Sequence, residues 1–200
     1  MALPKLFTPV EIGGVTLPNR LVVSPMCQYS ADDGSMTDWH DVHLGTYALS
    51  RAGLFMVEAT GVTREGRITH GCTGLYNDHN EAAMARAVQV YRGITSNPIG
   101  IQIGHAGRKA SAQVPWLGGK ALGPDESPWQ TVAPSAIAFG EGWHVPREFS
   151  KDDLRKLLDA YVAAALRSKR IGFDLLELHS AHGYLLQQFL SPLANQRTDE

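Results

Sequence analysis

The chain has 200 residues, of which 44% are hydrophobic and 19% are charged, and its formal net charge is −2. The length predicts one domain or two, and the composition allows a sizeable core. The absence of any basic block argues against a nucleic acid or an anionic membrane as a partner. Two cysteines, Cys27 and Cys72, are too few for a disulfide framework and favour a reducing compartment. Because residues 1–9 lack the apolar core of a signal peptide and no apolar run could span a bilayer, we expect a cytoplasmic protein.

Short apolar segments alternate with helical ones along most of the chain. A hairpin is predicted first, with strands 10–12 and 15–17 joined by Gly13-Gly14. Four further strands are predicted at 21–23, 54–57, 99–103 and 173–178, and helices at 40–51, 81–94 and 150–170. Ser150 and Asp153 form a capping-box pattern at the start of the last helix, and Gly172 follows its end.

This order of elements predicts an α/β protein with a parallel sheet covered by helices. A doubly wound sheet and a (β/α)₈ barrel both remain possible, although the chain has no glycine-rich dinucleotide or P-loop fingerprint. The leading hairpin favours the barrel, whose bottom it could plug. Residues 106–149 are rich in Gly, Pro and Trp without a clear period, which predicts a functional loop.

In a barrel, catalytic groups lie at the carboxyl ends of the strands. Polar groups capable of chemistry follow all four predicted strands; they are Ser24 to Tyr29, Glu58 to Thr60, Gln102 to Arg108, and His179 to Tyr184. Taken singly, several have a structural interpretation, for example Pro25 as a strand end and Cys27 as a small buried hydrophobic residue.

The cluster of His179, His182 and Tyr184 is the strongest candidate site. Histidines three residues apart in a turn or at a helix start share one face, so both imidazoles can donate to one oxygen atom. By contrast, His40 and His43 share a face of the first helix without a third ligand, and we expect them to pack or lie at the surface. Trp116, Trp129 and Trp143 are expected either to line a substrate cover or to anchor the long loop.

Several motifs in register carry a resemblance to a known family. They are PNR at 18–20, SPMCQY at 24–29, VEAT at 57–60, GRI at 66–68, QIGHAGRK at 102–109, APSAI at 133–137 and HSAHGYL at 179–185. Through them the chain resembles the Old Yellow Enzyme family of flavin-dependent ene-reductases. Within that family it is most similar to the thermophilic-like branch and to bacterial xenobiotic reductases.

The resemblance implies a (β/α)₈ TIM barrel that holds non-covalent FMN. Residues 1–200 would then be the amino-terminal part of a single barrel domain, supplying the hairpin and strands one to four. The missing half would carry the phosphate-binding loops, and a bare half barrel would expose two sheet edges. The full-length protein is expected to be a homo-oligomer, either a dimer or a tetramer.

The resemblance also implies a ping-pong cycle in which NADPH or NADH reduces FMN and an activated alkene is then reduced. Residues Ser24, Pro25, Met26 and Cys27 would lie along the flavin ring, with the Ala59 N–H and the Gln102 amide bonded to it. His179 and His182 would donate to the substrate oxygen, Tyr184 would protonate the α-carbon, and Tyr29 would bind or orient the substrate. No metal is expected. The Gly/Pro/Trp stretch at 114–131 departs from many family members and leaves the substrate range open.

Three alternatives remain open on the residues alone. One is a metal-dependent barrel hydrolase that uses His179 and His182 as ligands and needs a third ligand. Another is an RNA-modifying flavoprotein of the dihydrouridine synthase type, which the balanced charge disfavours. The last is a non-catalytic barrel fragment that folds only with a partner.

Overall fold

A computed structural model describes residues 3–199. Met1, Ala2 and Glu200 lie outside the described residues, and with them the first two residues of the segment considered above for a signal peptide. The strands in chain order are β1 (Val10–Ile12), β2 (Val15–Leu17), β3 (Val22–Val23), β4 (Leu54–Gly61), β5 (Ile99–Gly104), β6 (Val132–Ala133), β7 (Arg147–Glu148) and β8 (Leu175–Leu178). The helices are α1 (Asp38–Leu49), α2 (Asp78–Ile94), α3 (Lys151–Ile171) and α4 (Leu185–Leu190).

Four strands form one parallel sheet in the order β3-β4-β5-β8, and the hairpin strands β1 and β2 pair separately. Parallel neighbours joined by helical crossovers confirm the predicted α/β class. The sheet does not close on itself within residues 3–199, so β3 and β8 are its two edges. Leu178 on β8 is 53% exposed, as expected for an edge strand without a neighbour.

The two faces of β4 divide the core. Phe55 and Val57 face α1 and α2 in the main cluster of buried side chains, whereas Leu54 and Met56 contact Leu17 of the hairpin on the opposite face. This alternation follows from the two-residue period of a strand. The hairpin therefore covers the inner face of the sheet near the amino ends of the strands, where it was predicted to plug the bottom.

Helix boundaries follow their capping residues. Asn77 accepts a hydrogen bond from the Asn80 N–H and starts α2 at Asp78, three residues before the predicted start. Ser150 and Asp153 form the predicted capping box of α3, and Gly172 ends the helix with a φ of +97°. The short α4 was not predicted, because its six residues provide too little periodicity.

The loop at 106–149 contains more regular structure than its sequence indicated. Three short 3₁₀ helices occupy it, and β6 and β7 pair in parallel over two residues each. Strands this short have no detectable alternation. No helix in residues 3–199 is both long and apolar enough to cross a membrane.

Candidate functional site

The carboxyl ends of the four parallel strands surround a cavity of about 380 Å³, a size typical of small-molecule sites. Its lining combines residues from all four strand ends and comprises Ser24, Pro25, Cys27, Ala59, Ile68, Gln102, Glu177, His179, His182 and Tyr184. All the predicted site residues except Met26 and Tyr29 are therefore brought together. Residues up to 160 positions apart meet here because parallel strands end at the same edge of a sheet.

A β-bulge shapes one side of the cavity. The pairing of β4 with β5 shifts register between Val57 and Thr60, so Glu58 and Ala59 lie outside the regular ladder. Bulges of this kind release backbone groups and redirect side chains beside active sites. Ala59 then lines the cavity beside Cys27.

Cys27 presents its thiol to the cavity beside a second cysteine. A side-chain contact with Cys72 and burial together raise the pKa of the Cys27 thiol well above its usual range. The thiol is therefore protonated at neutral pH and can act as a weak donor. Cys72 is buried, and neither cysteine is in a disulfide.

Gln102, on β5, lines the cavity. It pairs in register with Glu177 of β8, and its Nε2 donates to the Glu177 carboxylate at 2.6 Å. This contact fixes the amide, so its oxygen remains available as an acceptor. Glu177 was not singled out from the sequence, since an acidic residue within a short apolar strand resembles an ordinary solvent-facing residue.

His179 follows β8 directly, and its backbone N–H continues the ladder by donating to the Ile103 carbonyl at 2.9 Å. Its Nδ1 accepts the Ala181 N–H at 3.3 Å, which places the ring proton on Nε2. Burial, followed by the charges of His182 and Lys109, lowers the pKa of His179. The imidazole is thus neutral at pH 7 with one N–H to donate.

His182 lies in a turn and adopts a left-handed backbone with a φ of +55°. Its ring centroid is 5.0 Å from that of His179 and 6.4 Å from that of Tyr184. Lys109 Nζ donates to the His182 carbonyl at 2.8 Å and lies 4.9 Å from the centre of the Tyr184 ring. Lys109 therefore stabilises this turn. Its role depends on a contact between distant segments and has no local sequence signal.

Tyr184 completes the cluster, with its ring centroid 4.9 Å from that of His179. Burial, and then the charges of Cys27 and Cys72, raise the pKa of the Tyr184 hydroxyl to about 12. The phenol is protonated at neutral pH, as a general acid must be.

Two predicted site residues lie outside the cavity lining. The Met26 side chain is 47% exposed, and its carbonyl accepts a hydrogen bond from Gln28 Nε2. Tyr29 adopts a φ of +54° and packs edge-on against Trp116, with 5.5 Å between the ring centroids. Trp129 anchors the long loop, because its Nε1 donates to the Glu65 carbonyl.

The described residues contain no group of three or more His, Cys, Asp and Glu side chains arranged to hold a metal ion. The hydrolase alternative would need a third ligand from elsewhere.

His40, expected to pack or lie at the surface, is fully buried and lies 3.3 Å from the Glu58 carboxylate. A contact between a helix and a distant strand has no local sequence signal.

Comparisons with known proteins all indicate the same family. Residues 5–200 match the family described as NADH:flavin oxidoreductase / NADH oxidase. An NADH:flavin oxidoreductase of Gibberella zeae is 51% identical over 200 residues, covering 98% of this chain and 48% of that protein. An NADPH dehydrogenase of Bacillus cytotoxicus is 43% identical over 198 residues, covering 98% of this chain and 53% of that protein.

The fold is also shared with a solved structure. An Old Yellow Enzyme homologue from Zymomonas mobilis superposes with a TM-score of 0.82 at 28% identity, covering 98% of this chain and 54% of that one. The chain thus spans about half the length of the relatives that it matches.

Proposed function

The chain belongs to the NADH:flavin oxidoreductase / NADH oxidase family, and from this premise we propose that it forms the amino-terminal part of an FMN-binding (β/α)₈ barrel that reduces activated alkenes. The resemblance to the Old Yellow Enzyme family agrees with the family match and with the solved homologue. The observation that carries the proposal is the convergence of a thiol, an amide, two imidazoles and a phenol on one cavity.

The residues of the cavity fit a flavin. A flat heteroaromatic ring with a pyrimidine edge needs an acceptor, weak donors and an apolar surface, which Gln102, Cys27 and Pro25 offer. Ser24 and Ala59 lie beside them in the same lining. Met26 would contribute through its main chain, because its side chain is exposed.

When bound, FMN supplies hydride transfer between a reduced nicotinamide and the β-carbon of an activated alkene. His179 and His182 would bind the carbonyl or nitro oxygen of that alkene. Negative charge grows on this oxygen during the reaction, and a neutral imidazole N–H aimed at it stabilises the charge. The Nε2–H of His179 needs no reorientation to bind the substrate oxygen, because the Ala181 N–H already fixes the tautomer through Nδ1.

Tyr184 would deliver the proton to the α-carbon. Its buried hydroxyl holds the proton tightly, with a pKa of about 12, until the carbon becomes strongly basic. Lys109 would keep the His182 and Tyr184 turn in place through the His182 carbonyl. Tyr29 would act at the entrance, where it packs against Trp116.

NADPH or NADH is the proposed reductant and a small activated alkene the proposed substrate. The cytoplasmic location and the dimer or tetramer of the full-length protein stay predictions.

A flavin titration tests the proposal. The complete barrel, loaded with FMN, should show a bound-flavin spectrum that NADPH bleaches without oxygen and cyclohexenone restores. An FMN-loaded barrel that NADPH reduces but no enone re-oxidises would contradict alkene reduction. A folded, complete barrel that takes up no FMN would contradict the proposed flavin site.

A further inference from the structure

A buried pair of polar side chains, Glu58 and His40, has no part in the mechanism above. Glu58 is 4% exposed and His40 is fully buried, although both side chains are polar. Burying such groups costs free energy unless each atom has a partner. Their partners therefore indicate what the pair holds in place.

The Glu58 carboxylate lies between helix α1 and the segment at 24–30. Oε2 accepts the Gln28 backbone N–H at 3.0 Å, and Oε1 lies 3.3 Å from His40 Nε2. His40 Nδ1 accepts the Thr37 N–H at the start of α1, so the ring proton lies on Nε2, which is close to the carboxylate but does not form a hydrogen bond to it. One side chain thus links the first helix, the bulge of β4 and the residue after Cys27.

We infer that Glu58, held by His40, is a positioning residue that fixes the Cys27 thiol at the wall of the cavity. Glu58 holds the peptide group that follows Cys27, and Ala59, the next residue of β4, lies beside Cys27 in the cavity lining. The inference rests on the proposed function for its purpose, because Cys27 would face the flavin.

Only a carboxylate presents an acceptor atom to both neighbours. A carboxylate accepts on both oxygens, whereas an amide has one oxygen and one NH₂ group. In Glu58→Gln, either the Gln28 N–H or the His40 Nε2–H would therefore face another donor. The charge has a second effect, because the titratable groups around Cys27 are Cys72, Glu58, Tyr29 and Tyr184, and the negative charge of Glu58 helps to raise the thiol pKa.

The opposite end of the sheet supplies a matched control. Asp174 likewise accepts a backbone N–H, that of Ile99 at 2.8 Å, and pairs with Arg92. Asp174→Asn removes a comparable carboxylate without touching the cavity. His40→Gln is the second test variant, because Gln suits the capping position of the imidazole but takes the ring away from Glu58.

The first measurement is amide hydrogen exchange over residues 24–30 in the full chain. In both Glu58→Gln and His40→Gln, the backbone amides of this segment should exchange at least about tenfold faster than in the wild type. In Asp174→Asn, their exchange rate should be unchanged. If Glu58→Gln does not fold, His40→Gln decides the result. Equal exchange in the test and control variants would overturn the inference.

The second measurement is the rate at which iodoacetamide alkylates Cys27 across a range of pH, with Cys27→Ala as the blank for the buried Cys72. Removing one charge should lower the midpoint of the thiol titration, and a fall of one pKa unit speeds alkylation about threefold to tenfold. An unchanged pH profile in Glu58→Gln would contradict the electrostatic part. Neither readout needs FMN, so failure of the proposed function would be seen separately as absent flavin binding.

Discussion

The two ends of the parallel sheet use polar side chains differently. At the amino end, Asp174 accepts the Ile99 N–H and pairs with Arg92, both through Oδ2, so this carboxylate serves the fold. At the carboxyl end, His179 and Gln102 each use one atom for the fold and leave another facing the cavity. Where a polar group is half satisfied beside a cavity, its remaining atom is available to a ligand.

The largest effect should come from Tyr184→Phe. Because the hydroxyl would be the proton donor, alkene reduction should slow by roughly 10²-fold to 10⁴-fold, while flavin reduction by NADPH stays within about twofold. Stopped-flow measurement of the two half-reactions checks this. Equal slowing of both would exclude the proton-donor role and leave Tyr184 as a packing residue.

Replacing His179 with Ala should have the next largest effect. Losing one donor to a developing negative charge costs about 2.7–4 kcal/mol, which corresponds to roughly 10²-fold to 10³-fold in alkene reduction. The matched variant Lys109→Met keeps both imidazoles and loses only the hydrogen bond to the His182 carbonyl. We therefore expect a smaller decrease in the rate of alkene reduction. If Lys109→Met is the slower enzyme of the two, the order of roles is wrong.

His105 makes the carboxyl end sensitive to acid. Burial lowers the pKa of this fully buried imidazole from 6.5 to about 3. The unfolded chain therefore binds the extra proton first, and stability is lost as the pH falls from about 6.5 towards 3. The free energy of unfolding should drop by about 1 kcal/mol between pH 6 and pH 5 from this residue alone.

Urea unfolding at pH 5, 6 and 7 measures that slope. His105→Asn keeps an acceptor for the Gly107 N–H that Nδ1 now accepts, yet cannot be protonated. The variant should be less stable at every pH but have a shallower slope. An unchanged slope would assign the acid sensitivity to other groups.

The smallest effect should come from a substitution at the amino end of the sheet. Asp174→Asn should lower the free energy of unfolding by about 1 kcal/mol, because the ion pair is partly exposed and screened by water. Flavin binding and both half-reactions should stay unchanged. A loss of activity larger than the loss of stability would remove the contrast between the two ends.

Local patterns predicted most of the elements. Ser150, Asp153 and Gly172 located both ends of α3, because helix caps depend on nearby residues. Eight of the ten predicted site residues line one cavity, and their roles there stay predictions. The family resemblance added the flavin and the separate roles within the cluster.

Contacts between distant segments could not be predicted. His40 has a surface-like sequence context, and only the approach of α1 to β4 places it against Glu58. Lys109 reaches His182 across 73 positions. Met26 and Tyr29 lie outside the cavity lining, and the φ of +54° at Tyr29 has no signature in the sequence.

The midpoint potential of bound FMN tests the central claim most directly, since it reports on the chemistry at one end of the sheet alone. Cys27→Ser replaces the thiol that faces the cavity, and it should shift the potential and the spectrum of the bound flavin. Asp174→Asn should change neither. A potential that is the same in all three proteins, or one that moves with Asp174→Asn as much as with Cys27→Ser, would contradict a flavin site at the carboxyl ends of the strands.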